Sequence, residues 1–186
     1  RAPARSFLKR PSARTTATRT ITPTATPCTG WIVVGSPTLS NTSPIQDLTV
    51  VSSSDIWAVG YYSNGSNRQT LIEHWNGVSW SVVASPNQGT NDNFLYDVTA
   101  VGANDVWAIG YYNNGTTSQT LTEHWNGSSW SIVPSANVSA SGNFLNSVAA
   151  VSSSDIWAVG LYSNSTYQTL IEHWNGSSWS VVASPN

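Results

Sequence analysis

The sequence Ser-Ser-Ser-Asp-Ile-Trp-Ala-Val-Gly at positions 52–60 decides the fold, because close copies of it occupy positions 102–110 and 152–160. The tryptophans of the three copies lie at positions 57, 107 and 157, which gives a repeat of 50 residues. A second recurring block, Glu-His-Trp-Asn-Gly-x-Ser-Trp, occupies positions 73–80, 123–130 and 172–179. A period of this length indicates tandem structural units that stack on one another.

Each repeat is predicted to contain four short strands and no helix. The first strands are predicted at 48–51, 98–101 and 148–151, and each ends at a turn closed by an aspartate. We expect the side chain of this aspartate, Asp55 in the first repeat, to bond nearby backbone amides. The other three strands of the first repeat are predicted at 56–61, 70–75 and 80–84. Asn-Gly at 76–77 predicts a hairpin with a loop slightly longer than two residues.

Side chains alternate in size along the second strand. Because successive residues of a strand point to opposite faces, the large and the smaller side chains separate, as Trp57, Val59 and Tyr61 against Ile56, Ala58 and Gly60. This asymmetry suits sheets stacked face to face, in which large residues of one sheet fill the space above small residues of the next.

These four-stranded units resemble blades of the β-propeller superfamily, particularly the Trp-rich, kelch-like repeats of secreted bacterial proteins. The resemblance covers residues 31–186, without the kelch Gly-Gly pair, and Gly77-x-Ser79-Trp80 is similar to the end of an Asp-box. It implies an all-β fold of three tandem four-stranded blades plus a surplus strand, preceded by an extended N-terminal tail. Closed propellers typically need about four to eight blades.

The strand count leaves one strand over. The fourth-strand sequence occurs four times, beginning at Trp31, Trp80, Trp130 and Trp179, whereas the other three strands occur three times. Three interpretations stay open: a fragment of a longer propeller, a ring closed by two or more chains, or an open polymer in which an end strand completes the next subunit.

Charge divides the chain into a basic tail, residues 1–30, and an acidic three-blade repeat domain, residues 31–186. The tail carries six of the seven basic residues and no acid, whereas the rest carries one arginine and all nine acids. Threonine fills every even position from 16 to 26, which fits an extended strand or a flexible, O-glycosylated linker. We predict that the tail docks on a second copy, through Arg5, Arg10, Arg14, Thr16, Thr18, Arg19, Thr20, Ile21, Thr22, Thr24 and Cys28.

The leading functional hypothesis is a self-assembling structural protein of the cell surface or extracellular space, whose subunits join head to tail into a fibre or ring. The alternative is a propeller lectin or adhesion module that binds glycans. Its candidate stacking residues are the hairpin tryptophans Trp75, Trp125 and Trp174. The other repeated tryptophans are predicted to be core between blades: Trp57, Trp80, Trp107, Trp130, Trp157 and Trp179.

Several further expectations concern export and modification. The first residue is Arg1 rather than Met, from which we expect that an export signal or a longer precursor segment has been removed. The lone cysteine, Cys28, is expected to be free or paired between chains. Glycosylation sequons support a secreted protein and lie at Asn41, Asn64, Asn114, Asn126, Asn137, Asn164 and Asn175.

The sequence lacks the motifs of catalysis, so we predict a protein that is not an enzyme, with no cofactor and no metal site. The Glu-His pairs at 73–74, 123–124 and 172–173 recur in every repeat, as structural positions do. Adjacent strand residues face opposite ways, so we expect each histidine to be half-buried and to bond a neighbouring strand. The acidic body argues against a nucleic-acid partner, and no apolar run is long enough to span a membrane.

Overall fold

Strands form all the regular secondary structure of the computed structural model, which describes residues 33–40 and 42–185. The first repeat contains β1 (Ile45–Ser52), β2 (Asp55–Ser63), β3 (Arg68–Trp75) and β4 (Trp80–Val83). The second contains β5 (Asn93–Gly102), β6 (Asp105–Asn113), β7 (Ser118–Trp125) and β8 (Trp130–Ile132). The third contains β9 (Asn143–Ser152), β10 (Asp155–Asn164), β11 (Thr166–Trp174) and β12 (Trp179–Val181).

The twelve strands form three four-stranded antiparallel sheets, each in chain order, which we call blades 1, 2 and 3. The predicted all-β, propeller-like fold is confirmed. Residues 33–40, which include part of the predicted surplus strand, form no strand, and Trp31 and Ile32 lie outside the described residues, as does the predicted tail. The described residues include no helix long and apolar enough to cross a membrane.

The first strand of each blade is longer than predicted. In blade 2 it begins at Asn93 rather than at position 98, because residues 93–95 pair with the far end of β6. A β-bulge separates this pairing from the rest, since Leu95 opposes Gly110 and Asp97 opposes Ile109. The extra residue at the bulge breaks the two-residue alternation, which hides the start of the strand in the sequence.

The blades stack large face on small face, as predicted. The large face of each blade carries the tryptophan of its second strand, and the small face carries the alanine and glycine. The first interface buries Trp57, Val59 and Ile72 of blade 1 against blade 2 residues Leu95, Val98, Val106, Ala108, Leu121 and Trp130. The second buries Trp107 and Ile109 of blade 2 against blade 3 residues Leu145, Val148, Ile156, Ala158, Leu170 and Trp179. Each fully buried aliphatic side chain contributes about 1.5–3 kcal/mol.

An aspartate in the first strand links each blade to the next one. Asp47 Oδ2 accepts a hydrogen bond from the Val98 N–H at 3.2 Å, and Asp97 Oδ2 accepts one from the Val148 N–H at 2.7 Å. Burial and the neighbouring Asp97 carboxyl raise the pKa of Asp47 to about 6. In blade 3 the same position is Ser147, so the third blade lacks this carboxylate.

The glycine of the second strand is required by the bulged start of the first strand. A Cβ at Gly110 would lie 1.9 Å from the Phe94 carbonyl oxygen, and one at Gly60 or Gly160 would meet the equivalent oxygen. The hairpin loop between Trp75 and Trp80 has four residues, confirming the prediction of a loop longer than two. Gly77 has a φ of 92°, and Asn76 Oδ1 accepts the N–H groups of Val78 and Ser79.

Candidate functional site

The repeated histidines fix the hairpins of the blades. His74 Nε2 lies 2.8 Å from Asp55 Oδ1, and the same pair recurs as His124–Asp105 and His173–Asp155 at 2.9 Å. The ring of His74 also packs on that of Trp57, with centroids 4.2 Å apart. The prediction of a half-buried histidine bonded to a neighbouring strand is confirmed. The aspartate differs from expectation, because its side chain bonds the histidine ring and, in blades 2 and 3, the indole N–H of the second-strand tryptophan, rather than backbone amides.

The glutamates beside these histidines are buried on the opposite, small face of each blade. Ser36 Oγ donates to Glu73 Oε2 at 2.6 Å, and the Ala136 N–H donates to Glu172 Oε2 at 3.2 Å. Burial raises the pKa of Glu172 to about 7 and that of Glu123 well above its ordinary value. These buried carboxyls were not expected from the sequence. Their signal is the recurrence of Glu opposite the small alanine of the second strand.

No group of three or more His, Cys, Asp and Glu side chains within residues 33–40 and 42–185 could hold a metal ion. The histidine and the glutamate of each pair face opposite sides of their sheet, so they do not form one site.

A ladder of aromatic rings crosses the blades near the ends of their second strands. Tyr61 of blade 1 meets Phe94 of blade 2 edge to face, with centroids 4.8 Å apart. Tyr111 of blade 2 meets Phe144 of blade 3 with the same separation. In blade 2 the ladder is thickened by Tyr96, which stacks on both Phe94 and Tyr111. The repeated geometry indicates that this ring contact belongs to each blade junction.

Blade 3 departs from this pattern and leaves a groove. It carries the smaller Asn146 and Leu161 at the positions of Tyr96 and Tyr111. The resulting groove between blades 2 and 3 has a volume of about 450 Å³. Its lining is aromatic apart from two residues, and consists of Tyr96, Tyr111, Phe144, Asn146, Leu161 and Tyr167. We call this the aromatic groove.

A shortened turn supplies the most exposed ring of the aromatic groove. The segment from Tyr162 to Gln168 is one residue shorter than its counterpart in blade 2, and Ser165 adopts a φ of 64° where blade 2 has Gly115. The strands therefore pair up to the turn itself, with Tyr167 opposite Ser163. Tyr167 is 74% exposed, so its face is available to a ligand. This site was not predicted from the sequence, and its signal there is a set of departures from the repeat.

The hairpin tryptophans proposed as glycan-stacking residues lie elsewhere. Trp125 and Trp174 are half-buried at the blade interfaces. The ring centroid of Trp125 lies 4.9 Å from that of Trp57, and the ring centroid of Trp174 lies 4.8 Å from that of Trp107. Trp75 is also half-buried, and its Nε1 donates to the Ser53 carbonyl at 3.2 Å. The structure does not bring the three together in one groove. Glycan stacking at these residues stays a prediction.

Four of the six tryptophans predicted to be core are buried, namely Trp57, Trp107, Trp130 and Trp179. Trp80 is half-buried and Trp157 is exposed. They lie on the outer faces of blades 1 and 3, and in the described part of the chain no further sheet packs on those faces.

The sequons within the described residues are all exposed: Asn64, Asn114, Asn126, Asn137, Asn164 and Asn175. Asn41 lies outside these residues, as do the predicted tail contacts from Arg5 to Cys28. Glycosylation and tail docking therefore stay predictions.

Comparison with known proteins identifies the fold. No protein family and no curated protein matches the sequence. Among solved structures, "YCF48 bound to D1 peptide" superposes with a TM-score of 0.51 at 18% identity, covering 75% of this chain and 41% of that one. A fucose lectin from Kordia zhangzhouensis in complex with methyl-fucoside superposes with a TM-score of 0.50 at 17% identity, covering 75% of this chain and 99% of the lectin. The chain thus spans less than half of the first structure, and it shares with both a propeller-type fold.

Proposed function

We propose that this chain is a carbohydrate-binding propeller module whose ligand site is the aromatic groove. The observation that carries the proposal is a groove of about 450 Å³ in which aromatic rings surround a single side-chain amide. Ligand sites in proteins commonly combine apolar and aromatic walls with a few polar groups that fix orientation. The shared fold with a fucose lectin supports the same class of ligand.

The chemistry of the groove suits a neutral sugar. The apolar C–H face of a pyranose ring packs on an aromatic face, and Tyr167 and Phe144 supply such faces. The Asn146 amide has two donors and an acceptor for ring hydroxyls. The Tyr111 hydroxyl is protonated at physiological pH, as a tyrosine normally is, and burial raises its pKa further. Among the described residues, no Asp, Glu, Lys or Arg lines the groove, which favours uncharged glycans over phosphorylated or acidic ones.

The test is a glycan array with the intact chain, followed by titration of the best ligand into the Tyr167→Ala variant. Loss of one stacking ring is expected to weaken binding by about tenfold. Tyr167 is exposed, so the variant should retain the circular dichroism and melting temperature of the parent protein. Trp75→Ala and Trp125→Ala serve as controls that separate the aromatic groove from the hairpin tryptophans. Binding that survives Tyr167→Ala but is lost in the Trp75→Ala variant would place the site at the hairpins instead.

A second candidate function is structural self-assembly outside the cell, as a fibre or a ring. The specific observation in its favour is the exposed outer face of blade 3, whose equivalents in blades 1 and 2 are buried. In this hypothesis the basic tail of one copy also docks on the acidic body of another. A chain lacking residues 1–30 should then form smaller particles in light scattering than the intact chain. Equal particle sizes would rule out a contribution from the tail.

A further inference from the structure

The large face of blade 3 has the composition of an interface, and no sheet within residues 33–40 and 42–185 covers it. Trp107 and Ile109 on the same face of blade 2 are 2% and 0% exposed, because blade 3 packs on them. Their counterparts in blade 3, Trp157 and Val159, are 38% and 43% exposed. Exposed apolar patches of this kind mark interaction sites in soluble proteins.

The small face of blade 1 is the matching surface. Leu48 and Val50 on this face are 52% and 59% exposed. At the position of Leu48, blade 2 carries Val98 and blade 3 carries Val148, which are 4% and 8% exposed under the preceding blade. Each end of the stack therefore presents one half of the contact that is made twice within the chain.

Charge does not oppose the joining of these two faces. On the large face of blade 3 the charged side chain is Asp155, which already pairs with His173 at 2.9 Å. On the small face of blade 1 it is Glu73, which is buried and accepts the Ser36 hydroxyl. Docking the faces would bury apolar surface without stripping water from an unpaired charge, which is the costly event in an interface.

The interfaces inside the chain show how the faces would meet. Trp57 of blade 1 packs on Trp125 and Trp130 of blade 2, with centroids 4.9 and 5.4 Å apart. In blade 1 these two positions are Trp75 and Trp80, which are only half-buried. The same geometry would bring Trp157 of one copy onto Trp75 and Trp80 of another.

We propose that the occupant of the exposed blade 3 face is a second copy of this chain, docked head to tail through the small face of its blade 1. The contact repeats the two blade interfaces already present within each copy. It is heterologous, because each copy uses a different surface at each end, so its repetition gives a ring or a filament.

The test uses three matched valine-to-lysine variants of the intact chain in sedimentation velocity experiments. Val159→Lys alters the large face of blade 3, and Val50→Lys alters the small face of blade 1. Val78→Lys alters a hairpin loop where the valine is 82% exposed and belongs to neither face. The parent chain and Val78→Lys are expected to associate as concentration rises. The two face variants are expected to associate at least about 100-fold more weakly, because a lysine buried without a partner is costly.

Mixing the two face variants distinguishes head-to-tail docking from other modes. Each variant keeps one intact face, so an equimolar mixture is expected to form a 1:1 dimer that grows no further. Circular dichroism of each variant checks that the fold is retained. A parent chain that stays monomeric to about 1 mM would overturn the proposal. So would a mixture without the dimer, or association of Val50→Lys equal to that of the parent.

Discussion

The large faces of blades 2 and 3 have nearly the same sequence and different surroundings. Trp-Ala-Ile-Gly in blade 2 lies under a third sheet, whereas Trp-Ala-Val-Gly in blade 3 faces outward. Both tryptophans donate their indole N–H to the aspartate two residues earlier, at 2.9 and 2.7 Å. The local structure is therefore set by the repeat itself, and burial is set by whichever sheet comes next. In a stacked repeat, the stability that a residue contributes depends on its neighbour more than on its own blade.

The largest expected difference between the two faces is in the cost of removing the tryptophan. Trp107→Ala should lower the free energy of unfolding by about 3–5 kcal/mol, because it opens a cavity between two sheets. Trp157→Ala should lower the free energy of unfolding by only about 1 kcal/mol in dilute solution, because the Trp157 ring is already partly exposed to water there. Urea denaturation of both variants at low concentration measures the difference. Equal losses would show that the two faces are equally covered in solution.

The second prediction concerns Glu172, which lies on the small face of blade 3 beneath blade 2. Its pKa is raised to about 7 in the folded state, so between its ordinary value and pH 7 the folded chain binds more protons than the unfolded chain. The contribution of Glu172 to stability is therefore greatest at low pH and decreases as the pH rises through this window.

Glu172→Gln should reduce the stability difference between pH 5 and pH 7.5 by about 2 kcal/mol, because glutamine does not titrate. Its side-chain carbonyl can still accept the Ala136 N–H. Denaturation of the parent and the variant at both pH values provides the measurement. An unchanged pH dependence would mean that blade 2 does not seal this carboxyl from water.

The smallest expected effect comes from adding to blade 3 the aspartate that blade 2 has in its first strand. Blade 2 uses Asp97 to accept the Val148 N–H across the interface, whereas blade 3 has Ser147 at this position. Ser147→Asp should give the docked face an acceptor for the equivalent N–H of Leu48 in the next copy. Self-association is expected to tighten by about three- to tenfold, the value of one typical added hydrogen bond. Sedimentation at several concentrations measures the change, and weaker association would contradict the proposed register of the two faces.

The repeat made most of the fold predictable. The alternation of Trp57 and Ala58 was enough to predict which faces stack, and Asn76-Gly77 was enough to predict the hairpin loop. The bulge at Tyr96 was not predictable, because an extra residue in one strand breaks the pattern from which strand ends are inferred. The longer first strands follow from that bulge.

The candidate site was harder to predict for a physical reason. Repeated residues form the core of each junction. The repeat pattern therefore identifies residues that occur in every blade, such as Trp75 and its equivalents. The aromatic groove arises where Asn146 and Leu161 replace larger rings, and its shape exists only after two blades have stacked. Tyr167 lies at the groove because the segment from Tyr162 to Gln168 is one residue shorter than its counterparts in the other blades. A single deletion of this kind has no counterpart in the repeat, so the repeat does not predict its effect.

Hydroxyl-radical footprinting with mass spectrometry most directly tests whether the outer face of blade 3 is a docking surface. Oxidation of Trp157 is expected to fall several-fold between dilute and concentrated solution, towards the low level of Trp107, whose own oxidation stays constant because blade 3 already covers it. Trp157 oxidation that is the same at both concentrations would contradict the docking of one copy on another.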